Sequence, residues 1–477
     1  MSRRIAIIGA GLGGMTAAGE LAHAGHKVTL FEQSPTLGGK AQVVSRNGVS
    51  LDTGPTLLTL PAVVRESFVR IGAEDLIPRF IPLTHQARYQ WSDGRIFDCF
   101  EDLERTLDGA PAEAKGLRSF YAEAAAIHRA AGEPYLEAPF EGLPSFLARV
   151  AKRGLKSMVS GLKLSTLDGL ARKHFRASPQ LQQFVGRFAT YAGASPYQAS
   201  AAFALIPHLE KQFGVHHVEG GMVALVAAMC GALTRQGVEI QLGVKARWEQ
   251  GPSGLRAGHP GDEQPFDAVI VNADPLADRP LGTEQLALSG YVLLLEINRR
   301  LTLPHHFIAF GDDYVREFSE LFGGKIPSDP TVYFCHPVAS DPTVAPAGKS
   351  GLFAMVNAPA LASPSDAASW EARAEVLKAR CLSVLKRVAP EVRSEDITVL
   401  GERTPLDLAA RGAPGGSIYG FLPHGKFGPF RRPRIRSRVP GVFYAGGGTH
   451  PGGGVPLVML SGRFAAELAL EHLGAGA

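Results

Sequence analysis

Residues 5 to 14 read "IAIIGAGLGG", and this stretch constrains the fold of the chain more than any other. Ile5, Ile7 and Ile8 make a buried-strand pattern, and Gly9-x-Gly11-x-x-Gly14 follows at once. Ala17, Ala18 and Ala22 then suit a helix pressed close to a sheet, and Gly25 can end it. "KVTLFE" reads as a second strand closing on Glu32, 18 residues after Gly14. This order predicts a β-α-β unit that holds a dinucleotide. Gly9, Gly11 and Gly14 let a pyrophosphate approach the helix N-terminus, and the Glu32 carboxylate accepts hydrogen bonds from a ribose. An isolated glycine motif would fit an ordinary tight turn equally well; the flanking strands decide between the two.

With 477 residues the chain is longer than the ~250–300 at which one hydrophobic core stops growing, so two domains are expected. Apolar residues at 45% and charged residues at 20% argue against a disordered chain, and a net charge of +4 is too small to argue for nucleic acid. Cys99, Cys230, Cys335 and Cys381 lie far apart, which predicts reduced, inert thiols in a cytoplasmic protein. The pairs His216-His217 and His305-His306 have no cysteine or carboxylate partner at metal-ligand spacing, so no metal is expected. Export is not expected either, because a strand stands where a signal peptide's apolar region would be. The longest nearly uninterrupted apolar stretch, Gly221 to Leu233, has 13 residues, against the ~20 of a membrane-crossing helix.

Three more glycine-rich words accompany the first. "GGKAQ" (Gly38, Gly39, Lys40) can bring a second loop against the same diphosphate, and "DTGPT" (Asp52, Gly54, Pro55, Thr56) lets backbone lie along a flat ring. Near the C-terminus "VFYAGGGTHPGGGVPLVMLSGRFAAELALEHL" reads as strand, bare loop and helix, with Pro456 in a first turn where no N–H is needed. Together these words resemble the flavin amine oxidase and carotenoid desaturase superfamily.

That resemblance implies FAD. It places Gly39, Lys40, Gly54 and Pro55 along the cofactor, Val244 at the adenine through its backbone, and Gly446, Gly447, Val455 and Pro456 over the flavin. The helix N-terminus then faces the flavin's pyrimidine edge, where negative charge gathers on reduction. The implied fold is α/β: a discontinuous Rossmann-like FAD-binding domain (1–70, 215–280, 401–477) and an α+β substrate domain (71–214, 281–400). In the latter, "QARYQWSDGRIFDCF", "SGYVLLLEINRR", "HHFIAFG", "TVYFCHPV" and "GLFAMVNAP" read as an antiparallel sheet with a hairpin turn at Asp93-Gly94. Residues 101–210 carry helical periodicity and cover it.

The branch is indicated by the last glycine loop. Amine oxidases usually follow "AG" with an acid, whereas Gly447 follows Ala445-Gly446 here, and "GGTHPGGGVP" resembles carotenoid desaturases of the bacterial phytoene desaturase type. Ser461-Gly462-Arg463, with "GSIYGFLPHGKFGPFRRPRIRSRVPGVFYAGG", is similar to the hydroxycarotenoid 3,4-desaturases. The resemblance implies an acyclic carotenoid losing two hydrogens, a hydride to flavin N5 and a proton, with oxygen or a membrane quinone as final acceptor. It identifies no catalytic residue. His450 either accepts the proton or pins the loop through backbone hydrogen bonds, and the second role is favoured. Phytoene desaturase, carotenoid terminal oxidase, amine or amino-acid oxidase, and a flavin-free isoprenoid-binding protein on the same fold stay open as alternatives.

A bilayer-dissolved substrate also implies peripheral attachment to the inner face of a membrane. Residues 149–173, "RVAKRGLKSMVSGLKLSTLDGLARK", carry seven cations against the single acid Asp168, interleaved with apolar side chains. They read as an interfacial segment, or equally as a solvated surface of the substrate domain.

Overall fold

Five strands pair in parallel in the order Glu239–Leu242, Lys27–Glu32, Arg4–Ile8, Ala268–Val271, Val442–Tyr444. Counted along the chain this is 3-2-1-4-5, the doubly wound order, whose reversal beside the first strand opens a crevice at the strands' carboxyl ends. The computed structural model describes residues 1–153, 165–252, 254–277, 285–362 and 366–475.

Both faces of this sheet are covered, which accounts for the continuous apolar runs in its strands. Ile5, Ile7, Leu30 and Ile270 face a core shared with the helices Leu12–His23, Met222–Arg235 and Val455–Ala475. The alternate residues Ala6, Phe31 and Val269 meet Leu255 and Phe266. Those two belong to a small antiparallel sheet, Arg247–Gly251, Gly254–Gly258 and Gln264–Phe266, absent from the sequence reading.

The second sheet has seven strands, in the order Ile397–Arg403, Ser289–Ile297, Ser350–Ala358, Val332–Cys335, His306–Ala309, His85–Gln90, Ile96–Phe100. Two details correct the sequence reading. His306–Ala309 and His85–Gln90 run parallel. Some 200 residues of sequence separate them, so no hairpin dictates their direction. The edge strand Ile397–Arg403 pairs with Ser289–Ile297, so a boundary at 401 cuts through a strand of the substrate sheet. One face of the sheet packs on helix Ala367–Val388 through Trp370, Leu377 and Leu385. The other carries the helical cover through Tyr89, Phe97, Phe184 and Phe188.

Of the cationic segment 149–173, residues 154–164 lie outside the described residues. In the rest, carboxylates from outside the segment meet two of the cations: Arg153 reaches Glu133 and Glu137, and Lys173 pairs with Glu123 at 2.6 Å, while Arg172 pairs with the segment's own Asp168 at 2.8 Å. The segment is less bare of acids than its sequence suggests. Among the described residues no helix is long and apolar enough to cross a membrane.

Candidate flavin site and adjoining cavity

The cradle begins where the first strand turns into the first helix. A Cβ on Gly14 would stand 2.1 Å from the Gly9 carbonyl oxygen, so only glycine lets the helix start this close to the strand. Gly39 backs onto Gly11, and the Gly38 N–H donates to the Ala10 carbonyl at 2.8 Å, which ties the second glycine word to the first. The buried Glu32 carboxylate accepts the Ala10 and Ser34 N–H groups, one on each oxygen, both at 2.8 Å. It therefore clips the loop to the second strand and keeps lone pairs for a ribose.

Val244 sits beside Glu32, with part of its backbone already engaged. Its N–H donates to the Glu32 carbonyl at 2.9 Å, and its own carbonyl accepts from Ala246 at 3.0 Å. The pairing of Glu239–Leu242 with the second strand runs on past its end and engages that N–H, which leaves only the carbonyl's second lone pair for an adenine.

Asn272, at the end of the fourth parallel strand, was not singled out from sequence as a site residue. Its Nδ2 donates to the Gly9 carbonyl at 3.0 Å, and its Oδ1 lies where a Cβ on Gly446 would come within 2.7 Å. One side chain thus braces the first glycine loop against the last. An asparagine ending a strand at the topological switch point was the available signal.

The last glycine loop is held by groups far from it in sequence. Gly446 N–H donates to Ser461 Oγ at 3.1 Å, and the Gly447 carbonyl accepts from Arg432 Nη1 at 2.7 Å. Arg432 also reaches the Tyr419 carbonyl at 3.1 Å and is buried. Lys40 donates to the Ile418 carbonyl. The Lys40 side chain is exposed, yet the protein atoms around it lower its pKa by desolvation, with Asp274 pulling the other way and Arg432 adding to the decrease. Arg432 is lowered in the same manner, first by desolvation. The exposed Lys40 and the buried Arg432 therefore face one carboxylate, Asp274, whose pKa burial raises and the two cations lower.

Gly54, Pro55, Val455 and Pro456 line a cavity of about 400 Å³ that leads from this loop between the seven-stranded sheet and the helical cover. Its wall is mostly apolar, with Leu205, Ile206, Ile308 and Phe353 among the contributors. Thr56 Oγ1 and the Tyr333 hydroxyl share a 2.7 Å hydrogen bond, and that hydroxyl meets His306 Nδ1 at 2.8 Å. Burial holds His306 down to about 3, so at neutral pH it is an uncharged hydrogen-bond partner of Tyr333.

His450 does not line this cavity. Its ring is 1% exposed, stacked on Phe464 and edge-on to Tyr135. Desolvation pushes it down to about 3, with Arg149 and Arg432 lowering it further; the Ala138 backbone acts in the opposite sense, yet neither ring nitrogen makes a hydrogen bond. The loop is pinned by the His450 N–H and the Thr449 hydroxyl, both donating to the Pro433 carbonyl.

Strand pairing also places groups that the sequence spacing keeps apart. His306 is opposite Cys335, and His305, His306 and Cys335 lie with their candidate ligand atoms within 4.8 Å of one another, all buried. His217 meets Asp341 at 3.1 Å. The histidine pairs therefore do have cysteine and carboxylate neighbours, contrary to the reading from spacing. The four cysteines are free thiols, and burial pushes Cys99 and Cys381 up to about 12.

These residues fit FAD: a glycine cradle with Glu32 for the adenosine, Lys40 and the buried Arg432 for negative charge, and two bare loops for a flat ring. A dinucleotide cradle adjoining a mostly apolar cavity defines a flavin-dependent oxidoreductase. The sequence profile of flavin containing amine oxidoreductases matches residues 12–470, and the chain belongs to that family. It is 33% identical to hydroxyneurosporene desaturase of Cereibacter sphaeroides, over 98% of both chains. It is 28% identical to a 4,4'-diapophytoene desaturase of Staphylococcus haemolyticus over 99% of both. Among solved structures, a triple mutant of putrescine oxidase superposes with a TM-score of 0.66 at 17% identity over 99% of both, a likeness of fold alone. The α/β fold, the FAD cofactor and the desaturase resemblance expected from sequence all hold.

Proposed function

We propose that the chain is an FAD-dependent desaturase that introduces carbon–carbon double bonds into an acyclic carotenoid, with a hydroxylated carotenoid as its preferred substrate. The observation that carries this reading over an amine oxidase is the charge of the cavity wall. Among the described residues lining it none is Asp, Glu or His, and the charged ones, Arg187, Lys426 and Arg432, are all cations. A protonated amine has no counter-ion there, whereas a polyene needs none. The hydroxylated substrate is supported by the relatives, hydroxyneurosporene desaturases at 33% and 31% identity.

Bound FAD supplies the two-electron acceptor for C–H cleavage. The chain's own residues align and dehydrate the substrate: apolar side chains confine the polyene, and the Gly452–Leu457 segment and Gly54-Pro55 close the end nearest the cradle. The Thr56 and Tyr333 hydroxyls are hydrogen-bonded polar groups on this wall beside which a released proton can pass. Reoxidation falls to oxygen or a membrane quinone. Docking at the inner face of a membrane fits a lipid-dissolved substrate, and the exposed Phe427, which also lines the cavity, suits the mouth.

Expressing the chain with defined acyclic carotenoids tests the proposal. A product lighter by two hydrogens from the hydroxylated compound supports it; a yellow, flavin-loaded protein that leaves every carotenoid intact and oxidises amines overturns it.

A further inference from the structure

Arg187 is out of place in an apolar cavity. It follows helix Pro179–Gly186 and lines the cavity with Thr190, Tyr191 and Tyr333. Its guanidinium rests on the rings of Tyr89, Phe188 and Tyr191, 5.1 to 5.4 Å from their centroids. Nη2 donates to the Tyr191 hydroxyl at 3.1 Å, and that hydroxyl donates to Glu210 Oε1 at 2.8 Å. The carboxylate nearest in this chain of bonds is reached only through a phenol, and Nη1 is buried with no hydrogen-bond partner. An Arg keeps its charge at any working pH, so the cost of a desolvated cation with an unused donor is permanent. Structural cations avoid that cost by pairing directly with a carboxylate, as Arg88 does with Asp98 on the neighbouring strands at 2.8 and 2.9 Å. A group left in this state is prepared for an acceptor that arrives from outside the chain.

We propose that Arg187 anchors an oxygen of the substrate, a hydroxyl, ether or keto group on an otherwise apolar polyene, and so selects oxygenated acyclic carotenoids over hydrocarbon ones. This rests on the carotenoid reading of the cavity and adds the residue that discriminates within that class. The five N–H bonds of a guanidinium, held flat by three rings, give a fixed donor that a neutral lone pair can meet, whereas a hydrocarbon of the same length leaves it unpaired.

Arg187→Met keeps an unbranched side chain and removes the charge and its donors; Arg187→Lys keeps a charge without the fork and serves as the second variant should the first not fold. Each is loaded with FAD, checked for flavin content, and measured by turnover and by equilibrium binding in detergent with a hydroxylated acyclic carotenoid and with the hydrocarbon of equal length. The wild type is expected to favour the hydroxylated compound. In Arg187→Met its KM and Kd should rise roughly ten- to a hundredfold, while those for the hydrocarbon stay level or fall, with Arg187→Lys between. Folded variants that retain the wild-type preference overturn the anchor while leaving the desaturase standing. A wild type that binds and turns over neither compound overturns the carotenoid reading and the anchor with it.

Discussion

The carbonyl oxygen of Gly13 lies 2.0 Å from where a Cβ on Gly462 would stand. The first and last long helices of the flavin domain are in backbone contact there, next to Ser461, which receives the Gly446 N–H. The Ser-Gly-Arg word that linked the chain to hydroxycarotenoid desaturases is therefore a packing device, and it does not line the substrate cavity.

Gly462→Ala is expected to force the two helices apart, and because each helix begins at a glycine loop of the cofactor site, the cradle should loosen with them. The overpacking cost of about 1–3 kcal/mol should appear as a lower Tm and faster FAD loss on dilution. Unchanged melting and flavin retention would mean that the helices can separate freely.

Glu32→Ala removes both the acceptor for the ribose and the clip on Ala10 and Ser34. Loss of a charge-assisted hydrogen bond costs about 1.5–3 kcal/mol, so FAD should bind roughly ten- to a hundredfold more weakly. Fluorescence titration of the apoprotein measures this, and an unaltered Kd would remove Glu32 from the site.

His450→Phe should preserve turnover and its pH profile, since the ring is enclosed by Tyr135, Phe140 and Phe464 away from the cavity. Stability is where the change should show. With a folded pKa near 3 against 6.5 unfolded, the native state binds fewer protons, so the histidine costs stability increasingly as pH falls from 6.5 towards 3. Melting curves of His450→Phe should accordingly lose less Tm over that range than the parent. A variant that keeps its flavin but loses turnover more than a hundredfold would restore His450 as proton acceptor.

What could be read from sequence was what is local. Gly9 to Gly14, the strand to Glu32 and the Pro456 helix start each announce themselves within a few residues, because strand, turn and helix periodicities are short. Arg432 and Arg187 reach the site only through tertiary packing, and nothing in their neighbours marks them. Asp52 shows the same limit: within a glycine-rich word it resembles a ligand-facing acid, yet its carboxylate accepts the Met222 N–H at 3.0 Å and caps helix Met222–Arg235. The parallel junction beside His306–Ala309 and the meeting of Cys335 with His306 are likewise properties of strand order, which no periodicity encodes.

Helix Leu143–Ala151 suggests where a bilayer would touch the protein. Phe146 packs on Phe430 with ring centroids 4.8 Å apart, which seats the helix beside the Phe427–Phe430 turn at the cavity. Leu143 is 44% and Phe427 48% exposed, and Lys152 follows the helix, also exposed. Apolar side chains beside a cation are what an interfacial contact with anionic lipid requires. Removing one buried leucine side chain costs about 1.5–3 kcal/mol and one cation about 1 kcal/mol at such a surface. The double variant Leu143→Ser, Lys152→Glu should therefore partition at least roughly tenfold less onto anionic vesicles. Turnover of carotenoid in those vesicles should fall in step, while FAD content and turnover in detergent hold. Co-sedimentation equal to that of the parent would move the docking face elsewhere on the molecule.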